Sequence, residues 1–305
     1  MKKILSILLL HIMATAASHA FSPSLPTTLF GSQVPKVEEV DSGKCGKHVV
    51  WKYHARTKVL EIYGDGPMWT YGDWVDATNY IPGQAPWTGK PFKTLIIREG
   101  VKSITQGVFK SSAELTSVII PGSVTRIRRS AFEDCRKLTY VVITNGVSEI
   151  GEKAFANCHN IWTISIPNSV KKMENHAFFN CKMLHTVNLS NSLKTIANGA
   201  FLCCENLDSL EIPEGVKTIE PLAFYKCRNL TTITLPQSLS SIGEGALGRT
   251  MVLYGALEHP VAIRDKDAFE DNPYMHDYED ETFFILEHMD ELMEMKRRAE
   301  ERVKK

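Results

Sequence analysis

From Phe92 onward the chain repeats itself every 23 residues without insertion or deletion. An unbroken period of this length is the mark of a stacked repeat, and it constrains the fold more than any local propensity does. The first apolar position runs Phe92, Leu115, Leu138, Ile161, Leu184, Leu207, Leu230. Three residues later come Leu95, Val118, Val141, Ile164, Val187, Leu210, Ile233, and two further on Ile97, Ile120, Ile143, Ile166, Leu189, Ile212, Leu235. Each unit ends on an Ala-Phe pair such as Ala131-Phe132 or Ala200-Phe201, varied to Val108-Phe109 and Ala246-Leu247 in the end units.

The spacing dictates the local structure of a unit. Apolar positions four and six alternate with polar ones, the period of a short strand. Pro121, Pro167, Pro213 or Pro236 then ends the strand, because proline has no N–H for a ladder. Pairs such as Asn145-Gly146 and Glu214-Gly215 make the turn, and a Val-x-x-Ile segment predicts a second short strand. The Gly-, Glu-, Asn- and Lys-bearing stretch before Ala-Phe reads as a helical turn. One such coil cannot enclose its own apolar side chains, whereas stacked coils shield one another. The expected domain is therefore a β-rich α/β solenoid of seven coils over residues 92–249.

The units, for example Leu138 to Cys158 (LTYVVITNGVSEIGEKAFANC), resemble the BspA-like leucine-rich repeats of bacterial surface proteins. The resemblance covers about Phe92 to Leu247. It implies a leucine-rich-repeat solenoid in a secreted or cell-surface protein, working in adhesion, host-protein binding or co-aggregation.

The flanks read differently. Residues 1–20 carry Lys2 and Lys3, a short apolar core and a small-residue end at Ser18 and Ala20, the layout of a cleaved signal peptide. The apolar run falls short of the ~20 residues that a membrane span needs. Residues 21–42 read as a linker. Residues 43–91 read as a β module capping the first coil, with strands at Lys44–Tyr53 and Val59–Tyr63 around a turn at 55–58. Trp51, Trp69, Trp74 and Trp87 lie in it, either as a small aromatic core or as a sugar-stacking platform. Residues 250–278 read as a degenerate C-terminal cap, and 279–305 as a helix with an imperfect apolar face suited to cap docking or self-association.

Chemistry is sparse. Lys plus Arg and Asp plus Glu both number 35, which offers neither a nucleic-acid nor an anionic-membrane footprint. The His, Ser and Gly residues form no catalytic, metal-ligating or phosphate-binding motif, and no cofactor is implied. Asp65, Asp73 and Asp76 lack EF-hand spacing and read as a plain loop. Of seven cysteines, Cys135, Cys158, Cys181, Cys204 and Cys227 fall on the repeat. An exported chain admits disulfides, but these five read as small buried residues filling a tight corner. Cys45 and Cys203 lie off that row and are the candidates for reactivity.

The outward strand positions are the candidate binding residues: Ile96, Ile119, Tyr140, Val142, Thr163, Thr186, Asn188 and Glu211, with Trp162 beside them. Stacking should align them on one continuous sheet face, apolar toward the N-terminal end and polar toward the other. These observations favour a non-enzymatic, secreted or surface-exposed scaffold that binds an extracellular protein or glycan, with the periplasm as the other open location. The competing reading is a structural envelope component that assembles through its caps or its C-terminal helix.

Overall fold

A computed structural model describes residues 40–74, 80–82, 84–248 and 250. The signal-peptide reading, most of the linker, the C-terminal cap beyond Thr250 and the tail helix with its self-association lie outside the described residues.

Seven long-side strands recur at the repeat spacing: Thr94–Ile97, Ser117–Ile120, Tyr140–Ile143, Thr163–Ser165, Thr186–Asn188, Ser209–Glu211 and Thr232–Thr234. A second set runs from Val101–Ile104 through Arg126–Ile127, Glu149–Ile150, Lys172–Met173, Thr195–Ile196 and Thr218–Ile219 to Ser241–Ile242. Pairing is parallel and in register with the repeat, so that Tyr140 faces Ser117 and Ile143 faces Ile120. Register cannot slip by one residue, because that would turn every buried Val and Ile out to water. Leu95, Val118 and Ile164 are buried while their strand neighbours are not.

The third side of each coil corrects the expected helical turn. Among the described residues there is no helix; tight turns take its place. The backbone shows why. Ser130, Phe132 and Asp134 donate their N–H groups to Glu152, Ala154 and Ala156 of the next coil, while Ala131, Glu133 and Cys135 donate three residues back. Half of the amides are thus committed between coils and cannot close an i→i−4 ladder. Ser130 and Asp134 also adopt left-handed φ of 54° and 61°, as do their repeat equivalents Lys153 and Asn157 at 55° and 59°, which no right-handed helix tolerates.

Inside, like residues stack. Phe109, Phe132, Phe155, Phe178, Phe201 and Phe224 form a column with ring centroids 5.2–5.6 Å apart, and each is essentially fully buried. Burying one such ring contributes about 1.5–3 kcal/mol.

The N-terminal module continues the ladder. Val49–His54 and Val59–Gly64 form the expected hairpin, with Val40–Lys44 added antiparallel on its outer edge. Val59–Gly64 pairs in parallel with Thr94–Ile97, matching Leu60 to Leu95 and Ile62 to Ile97. Gly66–Pro67 pairs with Val101–Ile104, and Trp87 stacks on Phe109 at 5.3 Å. The module therefore supplies the missing neighbour to all three sides of the first coil. Trp51, Tyr53 and Trp87 are buried in it, as a core; Trp69 is exposed.

Candidate binding face

The long-side strands point alternate residues outward because their backbone is pleated. Ile96, Ile119 and Val142 meet in direct register across the first three rungs and are half-buried. Beside that row Tyr140 stands 53% exposed, the largest aromatic surface on the strands, and Trp162 is 50% exposed. Thr163 faces Thr186, and Asn188 donates its amide to the Ser165 hydroxyl at 3.0 Å. Glu211 stands one rung beyond Asn188 at the equivalent position and faces Thr234. The structure thus brings Ile96, Ile119, Tyr140 and Val142 together, and Thr163, Thr186 and Asn188 together. Glu211 adjoins the second group across a break in the ladder.

The face is not one continuous sheet, as the repeat alone suggested. The ladder divides into a six-stranded sheet ending at Tyr140–Ile143 and two pairs, Thr163–Ser165 with Thr186–Asn188 and Ser209–Glu211 with Thr232–Thr234. The reason lies at the strand ends. Thr139 and His185 donate to the preceding coil, but Trp162 has no such bond, and the equivalent Asp208 bond is stretched to 3.5 Å.

Two residues belong to the site that the strand pattern did not offer. His185 packs its ring against Trp162, with centroids 5.1 Å apart at 51°, and is fixed through Nδ1, 2.8 Å from the Asn206 carbonyl oxygen. Met183 is 39% exposed and accepts from the Asn206 amide at 3.5 Å. Met183 stands where the other coils carry Glu114, Lys137, Asn160, Asn206 and Asn229. That lone apolar residue in a polar column was the available signal. At the other end the face is bordered by an ion pair, Arg98 Nη2 to Glu61 Oε1 at 2.6 Å.

The cysteines separate cleanly. Cys135, Cys158, Cys181, Cys204 and Cys227 each donate Sγ–H to the carbonyl of the phenylalanine 26 residues earlier, at 3.1–3.3 Å. Burial raises all five thiols, Cys135 to about 12. Ser112 fills the corner of the first coil by donating to Phe109 O within its own turn. The two cysteines singled out as reactive are not suited to it. Cys45 is fully buried and desolvation pushes its thiol up to about 12, while half-buried Cys203 is also raised by burial. A reactive cysteine needs the opposite shift, toward thiolate.

The sequence matches a family model, the BspA type leucine-rich repeat region, in six copies over residues 83–165 and 148–276. The chain belongs to the BspA-type leucine-rich-repeat family. Solved structures of bacterial leucine-rich repeat proteins are similar to it. A leucine-rich repeat protein from Bacteroides ovatus superposes with a TM-score of 0.52 at 25% identity, over 68% of this chain and 56% of that one. The chain thus spans little more than half of that protein. The T. pallidum leucine-rich repeat protein gives the same score and identity over 68% of this chain and 89% of its own. Comparison with curated proteins gave no match. The family suggests a binding or scaffold role, and among the described residues no helix is long and apolar enough to cross a membrane.

Proposed function

We propose that this BspA-type protein is an exported, non-enzymatic scaffold that captures an extracellular protein through its long-side strand face. The reading rests on the cluster of Tyr140, Trp162, Met183 and His185 beside the aliphatic row Ile96, Ile119 and Val142. Large aromatic and apolar side chains held at the surface are the usual anchors of protein interfaces. Tyr140 and the aliphatic row sit on strands, and Trp162 is held against the His185 ring, so little side-chain and backbone entropy is lost when a partner docks. Thr163, Thr186, Asn188 and Glu211 supply a polar rim. Export is supported by the composition of residues 1–20.

The test is binding to immobilised extracellular-matrix protein by interferometry, comparing the wild type with Tyr140→Ala/Trp162→Ala. Both side chains are half exposed, so circular dichroism and the unfolding midpoint should be unchanged. Affinity should fall about tenfold or more, the loss typical of aromatic anchors. Equal binding by the double variant would refute the face. Loss of binding on deglycosylation of the matrix protein would replace the protein partner with a glycan.

A further inference from the structure

Met183 interrupts a polar column on the turn that leads into the long-side strands. At the same position the other coils carry Glu114, Lys137, Asn160, Asn206 and Asn229. Backbone bonds tie this column from coil to coil: Met183 N donates to His159 O at 3.0 Å, Asn206 N to Lys182 O at 3.2 Å and Asn229 N to Glu205 O at 3.1 Å. The side chains follow the same direction. Asn229 donates its amide to Asn206 Oδ1 at 3.1 Å, which leaves the Asn206 amide facing Met183, where it donates to Sδ at 3.5 Å. A thioether is a weak acceptor, so this chain of donors ends on a poor partner.

The same methionine belongs to the binding face. The Asn206 carbonyl oxygen lies 2.8 Å from His185 Nδ1, and the His185 ring packs on Trp162. Asn206 therefore joins Met183, through its side chain, to the His185–Trp162 pair, through its carbonyl. Met183 is exposed, whereas Met68 and Met173 are buried.

We propose that Met183 is an oxidation site that switches the binding face off, with hydrogen peroxide as the oxygen donor. Such a switch rests on the strand-face reading. A sulfur lone pair attacks one peroxide oxygen, the O–O bond breaks and an S–O bond forms. The departing hydroxide takes up the proton of the transferred OH and leaves as water. Sulfur loses two electrons and the peroxide gains them. The product sulfoxide is polar, and its oxygen is the strong acceptor that the column lacks at this level. Asn206 already directs its amide there, as Asn229 does one coil further on, so a sulfoxide continues the ladder much as an amide oxygen would. As a thioether, Met183 offers a partner a soft apolar contact. As a sulfoxide, it presents a hydrated group that must be stripped of water when apolar surface docks on it, which opposes binding.

Dilute hydrogen peroxide followed by peptide mass spectrometry reads the modification, and capture by the immobilised extracellular-matrix protein reads its effect. Met183 should gain one oxygen atom well before Met68 and Met173. Oxidised wild type should bind about tenfold more weakly with an unchanged unfolding midpoint, and methionine sulfoxide reductase should restore capture. Met183→Leu retains every other methionine and should bind equally well before and after peroxide. Met183→Gln places an amide oxygen in the column and should bind as weakly as the oxidised wild type. Full capture by the oxidised wild type, an equal loss in oxidised Met183→Leu, or oxidation of Met183 no faster than that of Met68 overturns the switch and leaves the strand face standing. No capture by untreated wild type refutes the strand face itself, and the switch with it.

Discussion

Cys158 illustrates how a single position is determined by its two neighbours. Its thiol is enclosed between the turns above and below and satisfies the Phe132 carbonyl, so a small side chain with one weak donor is what the corner accepts. Ionisation there is opposed by burial. For Cys135 the thiol rises from about 9 to about 12 on folding. The unfolded chain therefore loses this proton first as pH rises. Stability from the buried thiol is full below about pH 9 and falls between about 9 and 12. The urea midpoint should drop from pH 7.5 to pH 10, and Cys135→Ala/Cys158→Ala should show a smaller drop than the wild type. An identical pH slope in that variant would contradict the account. Phe155, stacked at 5.2–5.3 Å on both sides, makes a companion case. Phe155→Ala should cost about 3–5 kcal/mol, read as a shift in denaturant midpoint.

Within one coil, the element most exposed to backbone sterics is the turn between the two strands. Gly146 holds φ at 129°, and a Cβ there would lie 1.9 Å from the Gly122 carbonyl oxygen of the preceding coil. Gly146→Ala should therefore destabilise by about 1–3 kcal/mol, measured by thermal unfolding. Gly122 has room for less than its position suggests, since its own Cβ would meet Asn145 O at 2.4 Å. The turn glycines were legible in the sequence as turn residues. Their role in close packing between coils was not, because it depends on what the adjacent coil places opposite. The same limit explains the helical-turn reading: residues such as Lys153 and Glu152 favour helices, but inter-coil hydrogen bonds claim their amides and carbonyls first.

Across the whole solenoid, stability is a sum of coils plus the contacts between them, so the ends decide whether the middle survives. Trp87 is 2% exposed, heads the phenylalanine column and donates Nε1–H to Val108 O at 3.1 Å. Trp87→Ala should cost about 3–5 kcal/mol and, by uncovering the first coil, should raise the tendency to self-associate in sedimentation. A monomer of unchanged stability would show that the cap is dispensable. The cap was recognisable as a β module from Val59-Leu-Glu-Ile62, yet not as a pseudo-coil. Its long strand lies 35 residues before the next, Leu60 against Leu95, so the 23-residue period does not reach it.

The sequence by itself determined the solenoid, its parallel register and the residues of its core, because a fixed period with fixed apolar positions allows only one way to bury them. It also named the outward strand residues, since alternation along a strand is a local property. Tertiary structure alone decided where the ladders break and which exposed residues meet. Those depend on how neighbouring coils fit, as where Trp162 of one coil lies against His185 of the next, and such a fit has no meaning until the coils are stacked.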